Sequence, residues 1–335
     1  MKAIRFEKFG VPAEVLAVAE TPELQPARGE VRVRMKLAPI NPSDLMTIRG
    51  EYGRRPAMPA TPGYEGCGVV DAVGGGLIAK FRGLKPGRRV AVLHGAGGSW
   101  QQSVVLSARH VVPAPDDIPD EQIASFFVNP ATALIMTQRV LQVPRGGWLL
   151  QTAAGSALGQ MVIRLGKHLG FKTINLVRRA EQIAELKKIG ADEVIALPDE
   201  NYLERVHALT GEGVRYAIDC VGGTMGLEAA KALAPGGRLL LFGTLSSEPI
   251  PLPSRLLIAG QKSIEGFWLS DWVKGQGVLS MLKLFREINS LLRAGVLTTP
   301  VQEIFPMDRI GDAVRAAEKG ARQGKILLRF DGETA

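Results

Sequence analysis

QTAAGSALGQMVIRLGKHLGFKTINLVRR, residues 151–179, decides the fold. Just before it, Trp148, Leu149 and Leu150 form an apolar run that predicts a buried strand through Gln151. Small side chains then crowd a turn: Ala153, Ala154, Gly155, Ser156 and Ala157. A helical pattern opens at Leu158 and Gly159 and runs to Leu169, and residues 173–177 (TINLV) read as a second strand. Strand, small-residue turn, helix and strand within about thirty residues make a βαβ unit able to bind a dinucleotide. The turn carries the chemistry. Only side chains this small let backbone N–H groups at a helix N-terminus approach a pyrophosphate.

The glycine pattern itself is degenerate. Ala154, Ser156 and Gly159 stand at the three positions of G-x-G-x-x-G, and such a turn also serves plain helix packing. The residues just past the second strand discriminate better. A site that selects NAD usually places Asp or Glu there, on the ribose 2′-hydroxyl. This chain has Arg178 and Arg179. A carboxylate repels a 2′-phosphate, whereas a guanidinium binds it with two parallel bonds. The pair therefore predicts NADPH, held by Gly155, Ser156, Ala157, Leu158, Arg178 and Arg179. A solvated basic helix start is the plainer use of the same two arginines.

Outward from this unit, the periodicity divides the chain. Residues 1–125 are β-rich: residues 31–35 (VRVRM) alternate as a half-buried strand does, and short strands are predicted over 66–73, 89–93, 103–106 and 110–113. Residues 126–295 alternate strand and helix, with strands at 149–152, 173–177, 193–196, 216–221, 238–243 and 263–268, which predicts a parallel sheet covered on both faces. Residues 296–335 return to a mixed pattern and are assigned to the first domain. The expected class is α/β: a doubly wound nucleotide-binding domain inserted into a β-rich substrate domain. At 335 residues and 46% hydrophobic content, both domains can bury a core of their own.

Charge and cysteine content exclude several classes. The net charge of +8 suits a phosphorylated cofactor or an acidic carrier, and equally a generally basic surface. No basic run with interleaved aromatics points to nucleic acid. The two cysteines, Cys67 and Cys220, fit neither a disulfide framework nor a metal spacing, and a reducing compartment suits them. No apolar run reaches the length of a membrane span, and the opening MKAIRFEKFG reads as a strand rather than a signal peptide. A cytoplasmic protein with no membrane or nucleic-acid partner is expected.

Several motifs now carry a family resemblance: APINPSDLMTIRGEYG (residues 38–53), PGYEGCGVV (62–70), VNPATAL (128–134), the QTAAGSALGQ turn, CVGG (220–223) and GFWLSDW (266–272). Over nearly its whole length the chain resembles the zinc-independent medium-chain dehydrogenase/reductases, and within them the mitochondrial-type trans-2-enoyl thioester reductases. INPSD and the closing GKILL are shared with the wider quinone-reductase branch. The resemblance implies a GroES-like substrate domain joined to a Rossmann domain. Zinc members of this fold usually carry a Cys near the position of Asn41 and a His in a Gly-His-Glu motif. This chain has Gly63-Tyr64-Glu65, and its four histidines form no cluster in sequence, so no metal site is expected.

The resemblance also assigns roles. Reducing an activated C=C bond takes a hydride at the β carbon and a proton at the α carbon. Tyr52, in the G-x-Y-G segment, matches the family's proton donor, and a phenol with a pKa near ~10 keeps its proton at neutral pH. Asn41 matches a cleft residue whose amide reaches substrate or nicotinamide ribose; Asn before Pro is also a common turn starter. Asn129, with Thr132 nearby, matches a nicotinamide-side contact; before Pro130 it would equally cap a helix. Phe242, Gly243, Thr244 and Leu245 are placed along the nicotinamide. Phe267, Trp268 and Leu269 continue that wall or simply fill core, and Lys325 matches a lysine near the cofactor phosphate or lies on the surface. A homodimer through the last strand of the nucleotide sheet is implied. The alternatives are a quinone or enone reductase of the same fold, and a noncatalytic NADPH-binding protein.

Overall fold

The computed structural model describes residues 1–53, 55–199, 201–319 and 324–330. The chain forms two compact units, one of Met1–Val128 with the segment from Thr298 onward, the other Asn129–Leu297. It enters the first unit with β1 (Lys2–Arg5), β2 (Ala17–Glu20), β3 (Glu30–Pro39), β4 (Glu65–Val73), β5 (Arg89–Leu93), β6 (Ser103–Ser107) and β7 (Val111–Pro113). The second unit holds β8 (Trp148–Gln151), β9 (Lys172–Val177), β10 (Glu193–Ala196), β11 (Val214–Asp219), β12 (Leu233–Leu241) and β13 (Ser263–Gly266). The chain returns to the first unit for β14 (Val301–Pro306) and β15 (Lys325–Arg329).

The first unit is built on a sheet of order β14-β15-β3-β4-β5-β7, with β6 also paired to β3. Every pairing in it is antiparallel except β14 with β15. Strand β3 explains its own position. Val31, Val33 and Met35 are buried while Arg32 and Arg34 face outward, as the period of two requires. From Leu37 to Pro39 the strand is paired to β15, and Leu37, Ala38 and Pro39 are all buried. Trp100 is fully buried in this core and donates its indole N–H to the Pro39 carbonyl at 3.2 Å.

The second unit contains a six-stranded parallel sheet of order β10-β9-β8-β11-β12-β13. The sequence turns back across the sheet between β10 and β11, and β8 and β11 lie side by side. Strand β8 (WLLQ) and the end of β12 (LLL) read as apolar runs, as strands covered on both faces do. Ile174 and Leu176 pack into one apolar cluster and Val177 into another; Ile195 joins the first and Val194 the second.

Most expected elements are present within a few residues. Helices absent from the sequence reading include Pro42–Arg49, Leu269–Lys274 and the sixteen-residue Val278–Arg293, besides four short ones, Pro12–Val15, Leu77–Phe81, Asp120–Ala124 and Ser254–Ile258. The last predicted strand of this sheet ends at Gly266 rather than at residue 268, because Trp268 turns the chain into the Leu269–Lys274 helix.

Candidate active site

In the first unit the site is built around the helix Pro42–Arg49. Pro42 at its first position has no N–H to leave unpaired, and Asn41 precedes it in extended conformation. The Asn41 N–H donates to Asp44 Oδ2 at 2.7 Å. Asn41 is 1% exposed, and its carboxamide turns inward: Nδ2 donates to Glu65 Oε1 at 3.1 Å, and Oδ1 accepts from the Lys325 ammonium. The other oxygen of Glu65 accepts the backbone N–H groups of Phe127 at 3.0 Å and Val128 at 2.9 Å. Glu65 thus ties β4 to the Asn41 turn and to the backbone at Phe127 and Val128.

Asp44, Glu65 and Lys325 are all buried. Burial pushes the Asp44 carboxyl up to about 7; the Asn41 N–H opposes this, the Glu65 carboxyl adds to it, and Lys325 opposes it again. Burial raises Glu65 too, against Lys325 and the N–H groups it accepts. Tyr52 lies just past the helix, whose end is set by Gly50 at φ +79°. Its ring stands 5.7 Å from that of Tyr64, tilted by 53°. Lys325 is not a surface lysine: it is 5% exposed, with its ammonium bonded to Asn41.

In the second unit the turn after β8 precedes a thirteen-residue helix, Ala157–Leu169. Ser156 caps it, its hydroxyl accepting from the Gly159 N–H at 3.1 Å. Ala153 is held at φ +48° although it is not glycine. A Cβ on Gly159 would meet the Ala154 backbone at 2.5 Å, so the third glycine of the motif is there for close packing. Gly155, Ser156, Ala157 and Leu158 are together at this helix start.

Arg178 and Arg179 come directly after the last residue of β9. Both are exposed, and among the described residues neither side chain is in an ion pair or hydrogen bond. Asn129 is inside the first turn of the Val128–Ile135 helix rather than capping it, and Thr132 is buried on the same helix. Phe242, Gly243, Thr244 and Leu245 run on from β12 beside the end of β11. The Phe242 N–H donates to the Asp219 carbonyl at 2.9 Å and that of Leu245 to Cys220 at 3.0 Å. Phe267, Trp268 and Leu269 are half-buried after β13, with the Lys274 ammonium 5.9 Å from the Trp268 ring centre.

Two residues beside the turn were missed. Thr152 donates its hydroxyl to Asp219 Oδ1, which also accepts the Val221 N–H at 3.0 Å; Oδ2 accepts that of Gly222 at 2.9 Å. The only sequence signal was an Asp closing a strand before CVGG. In the sequence Glu65 stands out only as the last residue of Gly63-Tyr64-Glu65, the segment that differs from the zinc members.

Two family models match: an alcohol dehydrogenase GroES-like domain over residues 27–116 and a zinc-binding dehydrogenase over residues 157–284. The mitochondrial enoyl-[acyl-carrier-protein] reductase of Rattus norvegicus is 34% identical over 325 residues, 95% of this chain and 86% of the relative. A Bacillus thuringiensis structure described as a putative NADPH:quinone reductase is 35% identical, with TM-score 0.91 over 98% of this chain and 99% of its own. Escherichia coli quinone oxidoreductase complexed with NADPH is 27% identical, with TM-score 0.89 over 98% of this chain and 100% of its own. The chain belongs to the zinc-independent medium-chain dehydrogenase/reductases. It is an oxidoreductase, which removes the noncatalytic alternative. Zinc does not fit the residues present. Among the described residues no three of His, Cys, Asp or Glu converge, and the Asn41 carboxamide is occupied by the Lys325 ammonium on one side and the Glu65 carboxylate on the other. No helix among the described residues is long and apolar enough to cross a membrane.

Proposed function

We propose that this medium-chain reductase uses NADPH to reduce the C=C bond of 2-enoyl thioesters carried on CoA or an acyl carrier protein. The observation that carries the cofactor choice is the exposed Arg178–Arg179 doublet after β9, unpaired among the described residues. A 2′-phosphate brings the counter-charge that the fold withholds from it. The second unit is the cofactor domain. The helix start at Gly155, Ser156, Ala157 and Leu158 takes the pyrophosphate. Asn129, Thr132, Phe242–Leu245 (FGTL) and Phe267, Trp268 and Leu269 take the nicotinamide side. Lys325 is left out of the phosphate contacts in this reading because its ammonium serves Asn41.

The chemistry NADPH supplies when bound is a hydride for the β carbon. Tyr52 holds the proton that the α carbon takes at its phenol oxygen. Asn41 acts as a positioning residue, starting the helix whose far end leads into Tyr52. The enoyl reductase relatives support the thioester as substrate. The likeness to quinone reductases supports a second reading, an NADPH:quinone or enone reductase. Steady-state rates with crotonyl-CoA and with a quinone separate the two, and faster turnover of the quinone decides for the second. Tyr52→Phe is expected to lower enoyl-thioester kcat about 100-fold; full activity in that variant removes the acid.

We also infer a homodimer through β13, which among the described residues pairs only with β12. Light scattering of the purified protein at the monomer mass would exclude it. Two buried thiols, Cys67 and Cys220, suit a reducing compartment such as the cytoplasm.

A further inference from the structure

We infer that Tyr64 is a positioning residue for Tyr52: its ring is a fixed platform that sets the direction in which the Tyr52 phenol delivers a proton. The inference rests on the reading of Tyr52 as the acid. Tyr52 stands between Gly50, in the left-handed region at φ +79°, and Gly53. A segment with glycine on both sides does not by itself hold a ring in one orientation. The Tyr64 ring meets it at 5.7 Å and 53°, within the tilted range that aromatic pairs favour.

Tyr64 is itself anchored at both ends. Its hydroxyl lies 2.6 Å from Thr47 Oγ1, and the Thr47 hydroxyl is 2.8 Å from the Ser43 carbonyl. Thr47 has one hydrogen, which goes to Ser43, so Tyr64 donates and Thr47 accepts. Thr47 is buried in the helix that starts at Asn41. At the backbone, the His94 N–H donates to the Tyr64 carbonyl at 2.7 Å, and the Ser99 N–H donates to Gly63 at 3.0 Å. Gly63 is at φ +99°, and a Cβ there would meet Ser99 Oγ and Trp100 at 2.3 Å. The platform also stays uncharged: burial, more than any nearby charge, pushes the Tyr64 phenol up to about 12. A phenolate left on Tyr52 after proton transfer therefore meets no second negative charge from Tyr64.

The test is a double-mutant cycle read with crotonyl-CoA and NADPH. Tyr64→Ala is expected to lower kcat about 10- to 100-fold, the scale of a misplaced reacting group, with NADPH affinity unchanged. Tyr64→Phe keeps the ring and loses only the Thr47 bond, so kcat falls about three- to tenfold. Thr47→Val reproduces that smaller loss with Tyr64 intact, and it serves if Tyr64→Ala does not fold. In a Tyr52→Phe background, Tyr64→Ala adds no further loss, because the group it positions is gone. Equal losses from Tyr64→Ala in both backgrounds, or full activity in Tyr64→Ala, overturn the platform and leave the acid standing. Full activity in Tyr52→Phe alone overturns the acid and the platform with it.

Discussion

The charges of the two units are handled in opposite ways. In the first unit Asp44, Glu65 and Lys325 are buried within one cluster, and Lys325 and Glu65 are matched by partners in the fold: Asn41 and the N–H groups of Phe127 and Val128. In the second unit Arg178 and Arg179 are exposed and unmatched among the described residues. A buried charge must be paired or it neutralises, whereas an exposed one costs little to leave waiting. An ionic group matched internally is part of the scaffold. One left open at the surface after β9 is free to meet a ligand, as proposed above for the 2′-phosphate. The difference explains why Lys325 and the arginines, alike as cations in sequence, are given different roles in the proposal above.

The comparison breaks first at Lys325. Lys325→Met leaves two buried carboxyls without their cation and is expected to cost about 3–5 kcal/mol of stability, read as a fall in denaturation midpoint. A change near zero would mean that the cluster is not scaffold. Next comes Asp44. Its carboxyl sits at about 7 in the folded chain against an ordinary 3.8, so the native state binds a proton more readily than the unfolded one. Stability from this group is fully present below pH ~4 and is lost as pH rises towards ~7, by up to roughly 4 kcal/mol. Asp44→Asn keeps an acceptor for the Asn41 N–H and is expected to flatten that decline in unfolding measured across pH 4–8. The smallest effect belongs to the open pair. Changing Arg178 and Arg179 together to Ala should weaken NADPH binding about 10- to 30-fold and leave NADH and the melting temperature almost untouched. An equal loss for both cofactors would mean that the pair does not read the 2′-phosphate.

The architecture of the second unit was legible because local signals agree. The small-residue turn, the apolar run of β9 and the alternation of strand and helix all specify one parallel sheet. The site was legible only where chemistry lies along the chain. Gly155, Ser156 and Arg178 are read from one stretch of sequence, but Thr152 and Asp219 meet only because β8 and β11 are neighbours. Glu65 finds Asn41 and Phe127 in the same way, through tertiary contact. The helix Pro42–Arg49 was hidden for a different reason. Asn-Pro-Ser-Asp is a turn signal and equally a helix start, with Pro at the first position and Asp at the third. The Val278–Arg293 helix had a readable face: Leu284, Phe285, Ile288, Leu291 and Leu292 are buried at helical spacing. No neighbouring motif drew attention to it.

Ala153 has a consequence for how a nucleotide would be received. A side chain held at φ +48° is in a conformation that an isolated peptide seldom visits, so the surrounding structure must impose it. A glycine-rich loop wanders between shapes and gives up that freedom when its guest arrives. This loop has already been set, at a cost met during folding. Association would then lose less entropy, and the grip would be that of a mould rather than of a closing hand.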